Sequence, residues 1–217
     1  MNLADSIKKV LKTQNHSLNL FLKEDLKSIV LDFKKEWLNI FSDANSLLKK
    51  LGEHGLKITL FELGQSLKNL LIILKYLPAR IFDGLNYFKE DFLNEIDQCK
   101  DQKEKTLLCL KVFGALTHFA ITTFYELKKG NSKIKIKGLG PLTTVSNIIV
   151  AELIFKITST FILRLLASIE AELSSDDDKK HVSYFKQLIS NKEIDQNWDN
   201  SVIIVDKFKK YIMTGER

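Results

Sequence analysis

Proline and glycine are scarce in this chain of 217 residues, which contains two prolines and nine glycines. So few turn-forming residues exclude a collagen-like repeat, a largely disordered chain and a turn-rich β fold. The apolar fraction of 45% is that of a globular protein, and apolar residues recur with a helical period through most of the sequence. We therefore predict an all-α protein.

Cysteine is also scarce, since Cys99 and Cys109 are the only two. They lie ten residues apart in predicted helix and fit neither a disulfide framework nor a zinc site, which favours a reducing compartment. Residues 1–11 contain no continuous apolar run, so no secretory signal is predicted. These observations predict a cytoplasmic protein, with attachment to the periphery of a membrane as an open alternative.

Motifs for catalysis or metal binding are missing as well. None of the four histidines follows a glutamate by three residues, as di-iron bundles require. The zinc-binding spacing His-Glu-x-x-His is also absent. We predict no metal and no cofactor, and this interpretation leans towards a protein that is not an enzyme.

The charge balance is only mildly basic, because 33 lysines and arginines against 27 acidic residues give a net charge of +6. Such a surplus favours an acidic partner, either an anionic membrane or lipid or an acidic protein. A solvated lysine-rich surface is the simpler explanation. Arginine is nearly absent and no helix presents a dense basic face, so nucleic acid is not a predicted partner.

Two long segments contain almost no charge. Residues 106–125 include one formally charged residue, Lys111, and residues 142–169 include three, Glu152, Lys156 and Arg164. Helices this apolar lie in a protein core or meet lipid. We predict that they form a helical hairpin at the centre of the fold.

The segments before the hairpin predict helices that cover it. A short amphipathic helix is expected at residues 2–12, and the polar residues 13–17 are expected to end it. Residues 18–51 follow with an apolar residue every 3.5 positions, which is typical of a helix packed lengthwise on a partner. Further helices are predicted at residues 57–77 and 79–99.

The segments after the hairpin predict two shorter helices, at about residues 180–190 and 199–212, beyond an acidic stretch at 174–178 that ends the second arm. The full prediction is one helical domain over residues 1–217. Its core, residues 18–173, is a bundle of five or six long helices around the central apolar hairpin. The C-terminal helices, residues 180–217, pack on that core.

The loop between the two arms carries the sharpest binding signal. Lysine and isoleucine alternate in it, and glycines precede a helix N-terminus, where backbone N–H groups and the helix dipole attract anions. The loop is not a P-loop, because the Gly-Lys-Ser/Thr ending is missing. The simpler interpretation is a basic turn followed by a proline in the first helical turn. The predicted lipid- or anion-binding residues are Lys133, Ile134, Lys135, Ile136, Lys137, Thr143 and Thr144.

Each arm of the hairpin also carries a narrow polar stripe. The simpler interpretation is that both stripes meet solvent, with Glu152 and Lys156 forming an ion pair one turn apart. The alternative is that the stripes face each other across a polar cavity, which would require a ligand or matched charges. The predicted cavity-lining residues are Lys111, His118, Thr122, Glu152, Lys156 and Arg164.

The leading functional expectation is a non-enzymatic helical protein that acts at a membrane surface or binds lipid through the apolar hairpin and the basic loop. Constitutive spanning is not expected, because Glu152 and Lys156 fall near the middle of the second arm and are costly in hydrocarbon. The first alternative is a soluble protein–protein interaction module. The second is a helical enzyme or sensor with a small-molecule cavity near His118.

Overall fold

The computed structural model of the chain describes residues 1–35, 64, 68, 71–72, 75–77, 79–81, 83–129, 144–194 and 203–215. All regular secondary structure in these residues is helical, with no strand among them, which confirms the predicted all-α bundle. Helix α1 (Leu3–Leu20) continues through a π-helical turn (Phe21–Asp25) into helical residues 26–35. The helices that follow are residues 83–98, α2 (Gln102–Lys129), α3 (Thr144–Glu172), α4 (Asp176–Asn191) and α5 (Ile203–Thr214).

The hairpin of α2 and α3 forms the centre of the described bundle. These two helices pack against each other more extensively than any other pair of the labelled helices. Helix α4 packs on both of them, α1 packs mainly on α3, and α5 packs on α2. Buried side chains from all of these helices join one apolar core. That residues 1–217 form a single domain stays a prediction.

The N-terminal helix differs from its prediction. The sequence predicts a break at residues 13–17, but α1 runs through them to Leu20. The Thr13 hydroxyl donates to backbone carbonyls one turn earlier, at 3.1 and 3.3 Å, so its polar group is satisfied within the helix. Phe21 beyond it is buried, edge-on to Phe161 with the ring centroids 5.6 Å apart. The predicted break is wrong because tertiary burial outweighs local polarity.

The predicted 3.5-residue repeat (residues 18–51) lies within the described residues as far as residue 35. Ile29 and Phe33 are buried, and Leu26 and Val30 are half-buried, so this stretch turns one broad apolar face inward. The rest of the repeat, beyond residue 35, lies outside the described residues. The same holds for most of the helix predicted at residues 57–77.

The helix predicted at residues 79–99 is confirmed over residues 83–98. Its inward face repeats every three or four residues, as expected for one side of a helix: Ile81, Leu85, Phe88, Phe92 and Ile96 are all buried. The chain then reverses, and the Asp101 carboxylate caps α2 by accepting from the backbone N–H of Glu104 at 2.8 Å. The Glu104 carboxylate accepts in return from the backbone N–H of Lys100 at 2.7 Å.

Helix α4 begins one turn earlier than predicted. Ser175 is its N-cap, and the Ser175 side chain accepts from the backbone N–H of Asp178 at 3.4 Å. Three aspartates therefore occupy the first turn, where carboxylates are stabilised by the positive end of the helix dipole. The boundary predicted at residue 180 is wrong because this acidic stretch starts α4.

Gly84 marks a close approach between helical residues 83–98 and α5. A Cβ atom at this position would lie 3.0 Å from two ring carbons of Phe208. The Phe208 ring is buried, with its centroid 5.8 Å from that of Phe88, so it has little room to retreat. This contact between α5 and the rest of the bundle favours a residue without a side chain at position 84.

We predict that Gly84→Ala destabilises the protein. Alanine gains about 1 kcal/mol of helix propensity over glycine, but overpacking a buried ring costs roughly 1–3 kcal/mol. The matched control is Gly64→Ala, because Gly64 is helical and exposed and a Cβ there meets none of the described residues within 4 Å. Urea denaturation should show a lower free energy of unfolding for the first variant and an unchanged or higher one for the second. A stabilised Gly84→Ala protein would contradict the packing.

Candidate functional site

The polar stripe of the second arm forms a ridge on α3, which consists of Glu152, Lys156, Thr160, Arg164 and Ser168. The most buried ion pair on this polar ridge joins α3 to the π-helical turn. The Arg164 guanidinium forms a forked, bidentate ion pair with the Asp25 carboxylate, in which Nη2 donates to Oδ1 at 2.9 Å and Nε donates to Oδ2. Glu24 adds a longer contact to Nη2 at 3.8 Å. The hydrogen bond from Arg164 to Asp25 raises the pKa of Arg164 above its ordinary value. This forked geometry fixes the position of the turn on α3.

Two further ion pairs attach N-terminal residues to α3. Lys156 Nζ lies 3.3 Å from Asp32 Oδ2, and Lys9 Nζ lies 2.6 Å from Glu172 Oε2. We call residues 1–35 the N-terminal cover. We call the three pairs together the ion-pair ladder: Arg164–Asp25, Lys156–Asp32 and Lys9–Glu172.

The ladder is only partly shielded from water. Lys156 and Asp32 keep 44% and 49% of their side chains exposed, and such pairs contribute about 0–1 kcal/mol each. Apolar burial contributes more, at roughly 1.5–3 kcal/mol for each large side chain. Among the cover's described side chains, seven of these are buried: Leu3, Ile7, Val10, Leu11, Phe21, Ile29 and Phe33. Burial therefore holds the cover down, and the ladder determines where it sits.

Lys192, which sequence reasoning does not single out, lies near the Glu152 end of the ridge. Its Nζ is 3.2 Å from Glu152 Oε2, 4.2 Å from the ring centroid of Phe124 and 4.9 Å from that of Phe155. An ion pair and two cation–π contacts thus hold one ammonium group. Its backbone is left-handed, with φ 57° and ψ 34°, and its N–H caps α4 by donating to the Ile189 carbonyl at 3.2 Å.

No sequence signal marks Lys192, because glycine is the usual residue at a left-handed helix cap. Among the residues that the structure describes, it is the only non-glycine residue with a positive φ. Its carbonyl oxygen also accepts from the Tyr125 hydroxyl at 3.3 Å. Its side-chain partners among the described residues all belong to the hairpin, so Lys192 attaches the end of α4 to α2 and α3.

A pocket of about 320 Å³ opens where the cover, α3 and the end of α4 meet. Two of the predicted cavity-lining residues, Glu152 and Lys156, line it together. Arg164 lines a separate, open depression with Asp25 and Lys186. The pocket has an apolar wall of Phe33, Leu153 and Phe155 and a polar wall of Glu152, Lys156, Ser159 and Lys192.

The polar stripe of α2 does not line this pocket. Lys111 is exposed, and the Thr122 hydroxyl donates to the backbone carbonyl of His118 at 2.7 Å. His118 is half-buried, and burial lowers its pKa; Lys209 on α5 lowers the pKa further, while Glu126 raises it. The structure therefore places His118 towards α5. The charged residues of the α3 ridge do not face the α2 stripe but pair with the cover and with Lys192.

The predicted lipid- or anion-binding residues lie outside the described residues with one exception. Thr144 is the first residue of α3. The others are Lys133, Ile134, Lys135, Ile136, Lys137 and Thr143. Their role in binding stays a prediction.

Neither cysteine is placed as a nucleophile. Burial raises the pKa of Cys109 to about 12, and it also raises the pKa of the half-buried Cys99. Both thiols are therefore protonated at neutral pH, whereas the thiolate is the reactive form. Within the described ranges, no group of three or more His, Cys, Asp or Glu residues is positioned to hold a metal ion.

Among the described helices, α2 is the one long and apolar enough to cross a membrane. In this conformation 72% of its most apolar window is buried inside the protein. The core helix of a soluble protein has the same length and composition. Here α2 serves as core, and the surrounding helices cover its apolar surface.

Comparisons with protein-family models, curated proteins and solved structures give no match. What the site can do therefore follows from its own chemistry. It combines a sheltered apolar helix, a cover attached partly by exposed ion pairs, and a pocket with one apolar and one charged wall.

We predict that His118 makes the protein less stable in mild acid. Its folded pKa lies below the ordinary value of 6.5, so the unfolded chain binds the proton first as pH falls. The lowered pKa of His118 makes its full contribution to the free energy of unfolding above pH 6.5. That contribution decreases as pH falls below this value, and it stops changing once the histidine of the folded protein is protonated. Urea denaturation from about pH 8 to about pH 5, either side of the unfolded value, should show the decrease in wild type but not in His118→Gln. Parallel pH profiles would contradict it.

Proposed function

We propose that this is a non-enzymatic protein that acts at an anionic membrane surface, where the N-terminal cover loosens from the hairpin. The observation that supports this most is the polarity of two ladder pairs, in which Arg164 and Lys156 of α3 pair with carboxylates of the cover. The third pair, Lys9–Glu172, has the opposite polarity. An anionic surface offers Arg164 and Lys156 phosphate groups in place of Asp25 and Asp32. Such a surface therefore weakens two of the three contacts that position the cover.

A bilayer also reduces the main force that holds the cover in water. The apolar contacts between cover and hairpin are stable because they keep apolar surface away from water. The acyl chains of a bilayer can also keep the apolar surfaces of the cover and the hairpin away from water. At a membrane, burial therefore no longer strongly favours the arrangement in which the cover packs on the hairpin. Small differences in free energy, such as those of the ladder, then decide whether the cover stays in place.

Helix α2 has the length and low charge of a helix that can lie in the hydrocarbon region of a bilayer. Its 28 residues span about 42 Å at about 1.5 Å per residue, compared with about 30 Å for the apolar core of a bilayer. Its one charge in the apolar stretch, Lys111, lies in the N-terminal half of the helix. Lysines at both ends can extend towards headgroups: Lys103, Lys105, Lys128 and Lys129.

Helix α3 suits a shallower position. Its ridge carries Glu152, Lys156 and Arg164 along the middle of the helix. A charged residue at the centre of a bilayer costs at least about 2.5–3.5 kcal/mol, whereas at the headgroups the two cations find partners. The proposal is therefore association with the surface, with the ridge of α3 facing the headgroups and the apolar face of α2 towards the acyl chains.

The alternative functions have less support from described contacts. A protein–protein interaction module would use the repeat helix (residues 18–51) or the C-terminal helices, and residues 36–51 of the repeat lie outside the described residues. His118, expected to mark a small-molecule cavity, does not line the pocket beside Lys192. Neither alternative gains a specific contact in the part of the chain that the structure describes.

The test is co-sedimentation with anionic and with neutral vesicles at low and high salt. We expect wild type to sediment with anionic vesicles at low salt and to be released at high salt, because screening weakens the attraction. The double variant Asp25→Asn with Asp32→Asn removes the cover's half of two ladder pairs. It should sediment several-fold more than wild type.

The matched control is Asp176→Asn with Asp177→Asn, two exposed acids at the start of α4. Either double variant removes two negative charges, so each raises the net charge of +6 by two. Equal gains for both variants would mean that net charge, and not the cover, controls binding. If wild type and variants all stay in the supernatant with anionic vesicles at low salt, the membrane proposal fails and an interaction module becomes the better hypothesis.

A further inference from the structure

We infer that the pocket beside Lys192 binds a single-chain amphiphile with an anionic headgroup, of the fatty-acid or alkyl-phosphate class. This inference rests on the proposed membrane function, because a membrane surface is the source of such molecules. It assigns the pocket a ligand that is distinct from the bilayer itself.

The two walls of the pocket match the two halves of an amphiphile. Phe33 of the cover, with Leu153 and Phe155 of α3, offers apolar surface to a hydrocarbon chain. Lys156 and Lys192 offer ammonium groups to a headgroup. Ser159 also lines the pocket, and its hydroxyl donates to the backbone carbonyl of Lys156 at 3.4 Å. An entirely polar or entirely apolar ligand would leave one of these walls without a suitable contact.

The charges that line the pocket favour an anion. Among the described lining residues, two lysines and one glutamate, Glu152, contribute a surplus of one positive charge. Asp32, the partner of Lys156, is not part of the lining, and half of its side chain is exposed. Each ammonium group has three N–H donors, and the described residues place one carboxylate beside each lysine.

The backbone of Lys192 indicates that its position is imposed by the fold. A left-handed conformation is unfavourable for a residue with a side chain, and such strain tends to occur at functional sites. Here an ion pair, two aromatic rings and a helix cap hold the residue in place. The chain thus holds an ammonium group at the pocket before any ligand arrives, which lowers the ordering cost of binding.

The size of the pocket selects a small ligand. Its volume of about 320 Å³ lies at the low end of the roughly 300–1,000 Å³ typical of small-molecule sites. One alkyl chain with a compact headgroup suits this volume. An anion at Lys156 also competes with Asp32, so an occupied pocket weakens one pair of the ladder.

Calorimetric titration with decyl phosphate, below its critical micelle concentration, tests the inference on the full chain. We expect saturable binding of one molecule per chain and at least about tenfold weaker binding of neutral monodecanoylglycerol, which has a chain of the same length. Lys156→Gln and Lys192→Gln should each weaken decyl phosphate binding about tenfold, which corresponds to about 1.4 kcal/mol. Lys180→Gln is the control, because Lys180 is 77% exposed on α4 and should leave binding unchanged.

Circular dichroism verifies that each variant is folded. If Lys192→Gln disturbs the cap of α4, Lys156→Gln still tests the pocket, because Lys156 does not take part in that cap. Absence of saturable binding, equal binding of the neutral analogue, or wild-type affinity in both pocket variants would overturn the inference. Vesicle sedimentation of the same samples separates the two proposals. Vesicle binding without decyl phosphate binding refutes the pocket alone, and the reverse result supports the pocket while refuting the membrane proposal.

Discussion

The fold depends on one constraint, which is that α2 has almost no polar surface to offer to water. From Cys109 to Ala120, every residue except Lys111 and His118 is buried. Helix α3 covers one side of α2, and α4, α5 and the N-terminal cover complete the enclosure. Each of these elements needs only one apolar face, so their polar residues collect on the outside, where the ladder and the Lys192 contacts form.

Two kinds of interaction hold the cover on the hairpin, one that stabilises it and one that sets its position. Apolar burial is large but non-directional, so it does not determine which residue of the cover meets which turn of α3. The forked pair of Arg164 with Asp25 is directional, and it determines that register at a small net energy. This division makes the cover stable in water and sensitive to its surroundings, because a change of solvent removes the large term and leaves the small one.

The sequence predicts much of this arrangement. The apolar arms, the inward face of residues 83–98 and the polar ridge of α3 all follow from period and composition, which act locally. The partners of the ridge could not be predicted, because Asp25, Asp32 and Lys192 are far from it in sequence and meet it only through packing. The break expected at residues 13–17 fails for the same reason, since the burial of Phe21 against Phe161 is a tertiary contact. Lys192 occupies a position where glycine would be the expected signal.

The central claim is that the cover is a separable layer over a hairpin that forms the core. Native-state hydrogen exchange of the backbone amides tests it directly, because it resolves the free energy at which each helix opens. The account predicts that amides of α1 and of residues 26–35 exchange through a partial opening whose free energy falls as salt is added, while amides in the middle of α2 exchange only on global unfolding. Equal protection of α1 and α2 at every salt concentration would contradict it, since cover and hairpin would then open as one unit.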